Sequence, residues 1–138
     1  MSKQATLKIN PSLQKKFAGL LQTAEDMVRD KLYDIANDAI RFSPVDTGAY
    51  IESFSIVPRG AGGGRMKSSR ARKVSVKEGT ATREQFAGEA RSNLSLDINN
   101  LNLTNLSGVV LRNRSVHARF VEDKHGYHVF RKIRDIYG

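Results

Sequence analysis

From Leu13 onward the apolar residues recur at steps of three and four: Leu13, Phe17, Leu20, Leu21, Ala24, Val28, Leu32, Ile35, Ala36 and Ala39. This spacing predicts one apolar stripe on a helix of roughly thirty residues. Lys15, Gln22, Glu25, Arg29 and Asp30 occupy the other side. Asn10 suits the cap position, and Pro11 suits the first helical position, where a missing N–H costs nothing. The predicted end lies near Phe42, because Pro44 disfavours α geometry at Ser43. The period then changes from helix to strand. Phe54 and Ile56 alternate with Ser53 and Ser55, which predicts a strand closed by Pro58.

Thr82 and Gln85 have the spacing of a capping box, so a second helix is expected through Phe86, Ala87, Ala90 and Leu94. Residues 96–108 fit either a frayed helix end or a strand alternating at Ile98, Leu101 and Leu103. Residues 108–114 read as a strong short strand. The turn-forming Asn113-Arg114-Ser115 predicts residues 116–123 as its hairpin partner. Val129, Phe130, Ile133 and Ile136 are spaced for a last helix. The pattern as a whole predicts an α+β fold: a long N-terminal helix packed on a small antiparallel β-sheet, with a second, shorter helix. A chain of 138 residues holds one modest core, so residues 1–138 are expected to form a single domain.

Composition changes this picture in one place. The formal charge is +9, but the stretch between Glu52 and Glu78 contains no acid and seven bases. These are Arg59, Arg65, Lys67, Arg70, Arg72, Lys73 and Lys77; they carry +7 of the +9, which leaves +2 for the remainder. The same stretch is rich in glycine and serine and poor in anything to bury. Residues 59–80 are therefore expected to form a mobile basic hairpin loop, with residues 73–77 as a return strand. A local basic segment argues for one contact, with DNA or with an acidic partner, and not for a surface that wraps nucleic acid. The segment lacks aromatics to stack on bases, which argues against single-strand and RNA-binding modules. The absence of cysteine excludes disulfides, thiolate metal sites and a cysteine nucleophile. No window approaches membrane-spanning length, and the first ten residues lack the apolar run of a secretory signal.

Asp46-Thr47-Gly48 spells the triplet that carries the catalytic carboxylate of aspartic proteases. Such a site needs a strand-delivered loop and a bracing apolar–apolar–glycine segment. Here a long helix precedes the triplet, and Leu111 stands where the glycine would be. The better reading is structural: Pro44 ends the helix, Asp46 accepts hydrogen bonds from the N–H of Thr47 or Gly48, and Gly48 takes a positive φ. His117, Glu122, Asp123, His125 and His128 crowd together without metal-ligand spacing, and read as polar residues at a sheet end or subunit contact. The residues point to no catalytic group and no cofactor.

Residues 43–56, SPVDTGAYIESFSI, resemble the helix-exit signature of the phage tail-completion or neck family, minor components that join head to tail. The matching positions are Pro44, Val45, Asp46, Thr47, Gly48, Ser55 and Ile56. A second signature resembles residues 108–126, through Val109, Val110, Ala118, Val121, Glu122 and Gly126, with His117 in place of the family's tyrosine. The resemblance implies a non-enzymatic virion protein, made in the host cytoplasm, that assembles as an oligomeric ring around the DNA channel. Implied partners are copies of itself, portal or adaptor proteins, and a tail terminator or tail tube protein. The basic residues would meet genomic duplex DNA or a ring partner, and Glu122, Tyr127 and Phe130 are candidate subunit contacts. A small basic nucleic-acid-binding protein using residues 59–77 is the alternative.

Overall fold

The computed structural model describes residues 3–7, 21–67, 74–103 and 108–138. Strand β1 spans Lys3–Leu7, helix α1 Leu21–Phe42, strand β2 Phe54–Pro58, helix α2 Arg83–Asn99, strand β3 Val109–Asn113 and helix α3 Val129–Tyr137. The α+β expectation holds, with helices packed on an antiparallel sheet. The predicted start of the long helix, at Asn10 and Pro11, lies outside the described residues. No described helix is long and apolar enough to cross a membrane.

Helix α1 presents Leu32, Ile35, Ala36, Ala39 and Ile40 to the core. Phe86, Ala90, Leu94 and Ile98 of α2 pack in the same cluster, with Phe54, Ile56, Leu111, Phe130 and Ile133. The two long helices run antiparallel. Tyr33 Oη donates to Asn99 Oδ1 at 2.7 Å near one end, and Arg83 reaches the last carbonyls of α1 at the other. The Arg83 guanidinium donates to Ile40 O at 2.8 Å and Ser43 O at 2.7 Å. It thus satisfies carbonyls that a helix end leaves without partners, and places positive charge at the negative end of the helix dipole. The capping box is present as predicted: Thr82 accepts from the Gln85 N–H, and Gln85 Oε1 accepts from the Thr82 N–H at 2.7 Å. Of the ambiguous segment, residues 96–99 are helical as the end of α2, and residues 104–107 lie outside the described residues.

The sheet has the order β1-β3-β2, with both pairs antiparallel. Ala5 pairs with Leu111, and Ile56 pairs with Leu111 from the other side. As the central strand, β3 is buried through Val109, Val110 and Leu111, which explains its continuous apolar run. The predicted hairpin of residues 116–123 does not form. Asn113 Oδ1 accepts from the Ser115 N–H at 2.9 Å, and Ser115 Oγ accepts from the His117 N–H at 3.1 Å. These two side-chain turns bend the chain into helical geometry, and Phe120–Lys124 is a π-helical turn. The partners of β3 therefore come from far along the chain.

The basic loop also differs from expectation in its described parts. Residues 76–79 form a turn, not a return strand. Residues 61–67 are strapped onto the sheet face that carries Ser53, Ser55, Arg112 and Arg114. The N–H groups of Arg65 and Lys67 donate to Ser55 Oγ at 2.8 Å and Ser53 Oγ at 2.9 Å. Arg112 donates to Gly63 O at 2.7 Å, and Arg114 to Gly64 O at 3.1 Å.

Candidate functional site

The turn that leaves α1 is built by side chains that bond to the backbone. Ser43 Oγ donates to Ala39 O at 2.5 Å, ending the helix together with Pro44. Gly48 has φ +82°, a region open to glycine and unfavourable for other residues. The Glu52 N–H then returns to Gly48 O at 2.9 Å and starts the short 3₁₀ turn before β2. Within the turn, the Ala49 N–H reaches Thr47 Oγ1 at 3.4 Å.

Asp46 is an acceptor, as expected, but its donors are not local. Its Oδ1 accepts from the Ser75 hydroxyl and from the Lys77 N–H, the latter at 3.1 Å, while its carbonyl accepts from the Val76 N–H at 2.9 Å. The turn is thereby tied across nearly thirty residues to the end of the basic segment, in place of the predicted Asx-turn to Thr47 or Gly48. The Ser75 hydroxyl, the Lys77 N–H and the Lys77 charge together hold the Asp46 carboxyl below its ordinary range. A proton-sharing pair needs a second carboxylate against the first, whereas the donors to Asp46 Oδ1 are a hydroxyl and a backbone N–H.

Facing this turn is the segment after β3. His117, Val121, His125 and Tyr127 form one wall of an open groove of about 890 Å³; residues 44–50 form the other, and Val76 and Lys77 close the side. Tyr50 lies 6% exposed in this lining, and its hydroxyl has no hydrogen-bond partner among the described residues. Burial first, and then the charge of Glu122, push its ionisation far above the ordinary tyrosine range. The phenol therefore stays protonated, a donor.

The predicted site residues are distributed unevenly. Pro44, Asp46, Thr47, Gly48, Lys77 and Tyr127 meet in the groove. Arg65 is committed elsewhere: it forms a two-pronged ion pair with Asp97, at 2.6 and 2.7 Å, and donates to Phe54 O and Asn93 O. Arg59 is exposed just beyond β2, Lys67 is half-buried on the strap, and Arg70, Arg72 and Lys73 lie outside the described residues.

Two candidate subunit contacts are corrected. Phe130 is fully buried and Glu122 is 2% exposed. The Glu122 carboxylate accepts from the N–H groups of Phe130 at 2.9 Å and Arg131 at 3.1 Å, which caps the start of α3. Glu122 thus faces inward and is unavailable as a metal ligand; no three His, Asp or Glu side chains among the described residues converge on a metal position. The sequence reading missed Tyr50, Arg83, Asp97, Arg112 and Arg114. The last four act through contacts across 32 to 51 residues, for which a local pattern gives no signal.

No protein-family model, no curated protein and no solved structure matches this chain.

Proposed function

We propose that the protein is a structural subunit of a tailed-phage neck, a ring-forming component that joins the head to the tail around the DNA channel. One observation carries this reading. The two segments that resemble the neck family, residues 43–56 and 108–126, are distant in sequence yet supply opposite walls of one groove. The long-helix-on-sheet architecture supports it further, as does the Asp46 carboxylate, held as a charged acceptor.

Assembly would proceed through copies of the chain and through portal-side adaptor, tail terminator or tail tube proteins. The exposed bases Arg59 and Lys77 suit non-specific contact with channel DNA or with an acidic ring partner. The rival reading, a dedicated nucleic-acid binder, is weakened because Arg65 is held by Asp97.

The test is genetic and structural. A nonsense mutation in the encoding phage should leave filled heads and separate tails, and purified protein should restore joining. Negative-stain images should show rings, either of the protein alone or after mixing with its portal-side or tail partners. Joined, infectious particles that lack the protein would overturn the proposal.

A further inference from the structure

We infer that the sheet face turned away from the helices, with the strap across it, is a contact surface for the phosphate backbone of duplex DNA. All fourteen acidic residues lie outside three stretches of the chain, 1–24, 53–77 and 98–121. Each stretch contains one strand of the sheet. Together they hold fourteen of the twenty-three lysines and arginines, and the other nine against fourteen acids leave the rest of the chain at −5. The fold therefore separates charge. The strands come from acid-free, basic stretches, and the acids fall on the helices and the turns that join them.

The pairing gathers the bases on one side. Phe54, Ile56 and Leu111 face the helices in the core, so alternation places Ser55, Val57, Val110 and Arg112 on the opposite face. The Arg59 N–H extends the pairing to Gly108 O at 3.0 Å, which puts Arg59 on that face as well. Arg112 donates to Gly63 O at 2.7 Å and Ala61 O at 3.2 Å, and Arg114 to Gly64 O at 3.1 Å. Carbonyl partners fix a guanidinium without cancelling its charge. Asp97 neutralises Arg65, but among the described residues no carboxylate pairs with Arg59, Lys67 or Arg114. Residues 55–85 contain no aromatic residue, so the strap has nothing to stack on unpaired bases or to anchor a protein hot spot. A second copy could bring only its acidic remainder of −5. A duplex presents about one negative charge per 1.7 Å of axis, and its phosphates are met without sequence reading.

The inference rests on the neck reading for the source of the DNA, but the two fail separately. Head–tail joining that proceeds without the protein would remove the neck reading and leave duplex binding intact. The experiment is fluorescence anisotropy of two short labelled duplexes of unrelated sequence, titrated with the full chain over a range of salt. Equal affinity for both is expected, with log K falling against log salt by about 0.9 per phosphate neutralised. Arg59→Gln and Lys67→Gln remove side chains that pair with nothing among the described residues. Each should reduce the salt slope by about one. Arg91 lies on the helix side, where its Nε donates to Asn37 at 3.2 Å, so Arg91→Gln should leave the slope unchanged. Three results would sink the inference: no binding at low salt, a slope reduced as much by Arg91→Gln as by Arg59→Gln, or displacement of the duplex by an equal charge of polyglutamate. The last would assign the face to an acidic protein.

Discussion

Gly48 is the position where one added carbon should cost most, and its cost can be divided. The first part is conformational. Gly48 has φ +82°, and an L-residue in the left-handed region costs about 1–2 kcal/mol. The second part is steric. A Cβ at Gly48 would collide with the Phe86 ring, lying 2.6 Å from Cε1, and would lie 2.7 Å from Glu52 Oε2. Phe86 is itself in the core, so relief requires a shift of packed side chains, at about 1–3 kcal/mol. Gly48→Ala should therefore destabilise by about 2–5 kcal/mol. Gly60 is the control. It has φ +89° with open space around the added carbon, so Gly60→Ala isolates the conformational part. Thermal unfolding followed by circular dichroism reads both variants, at about 3–5 °C per kcal/mol for a chain of this size. Adding Phe86→Leu to Gly48→Ala should recover part of the steric cost, giving a coupling of about 1–2 kcal/mol in a double-mutant cycle. If Gly48→Ala lowers the midpoint no more than Gly60→Ala, the close packing of the turn on α2 is refuted.

Three further perturbations follow from the hydrogen bonds. Asp97→Ala removes the partner of the Arg65 guanidinium and of the Ile56 N–H at the edge of β2, and should cost about 2–4 kcal/mol in urea unfolding; a loss under about 0.5 kcal/mol, the size of an exposed pair, would contradict a structural role. Glu122→Ala uncovers two N–H groups at the start of α3, and should cost about 1–3 kcal/mol, with faster amide exchange at Phe130 and Arg131. Asp46 has a folded pKa below its ordinary 3.8. Its bonds therefore add stability above the unfolded value, and that stability is lost as the pH falls through the folded value. The stability gap between wild type and Asp46→Asn should be flat well above pH 3.8 and narrow as the pH falls below it; a gap that widens on acidification would reverse the sign argued here.

What the sequence made legible was local. The three- and four-residue spacing of α1, the stop at Pro44 and the capping box at Thr82 each depend on residues within one or two turns. The acceptor role of Asp46 and the positive φ of Gly48 were also legible, because a Pro-x-Asp-x-Gly turn demands them. The donors to Asp46 were not, since Ser75 and Lys77 reach it from 29 and 31 residues away. The hairpin expectation failed for a related reason. Asn113 and Ser115 suggested a tight reversal, but the same side chains also support Asx- and Ser-type turns into helical geometry. Strand β1 gave no periodic signal because Lys3–Leu7 contains only two apolar residues. Its strand character comes from pairing with β3.

The polar residues in and behind the groove walls are of two kinds, and the division separates those that hold the turn from the one that does not. Ser43, Asp46 and Ser75 spend their hydrogen bonds within the chain. Removing any of them leaves an internal group unsatisfied, so loss of function would follow from loss of the turn. Tyr50 differs, because its buried hydroxyl has no hydrogen-bond partner among the described residues. Deleting that one oxygen removes a donor and an unmet desolvation cost together. Thermal unfolding of Tyr50→Phe should therefore show a midpoint that stays level or rises. Substitutions at Gly48 or Asp46 disturb the wall that holds Tyr50 in place. Tyr50→Phe is therefore the substitution in this wall whose effect on folding should be neutral or favourable, where those at Gly48 and Asp46 are costly.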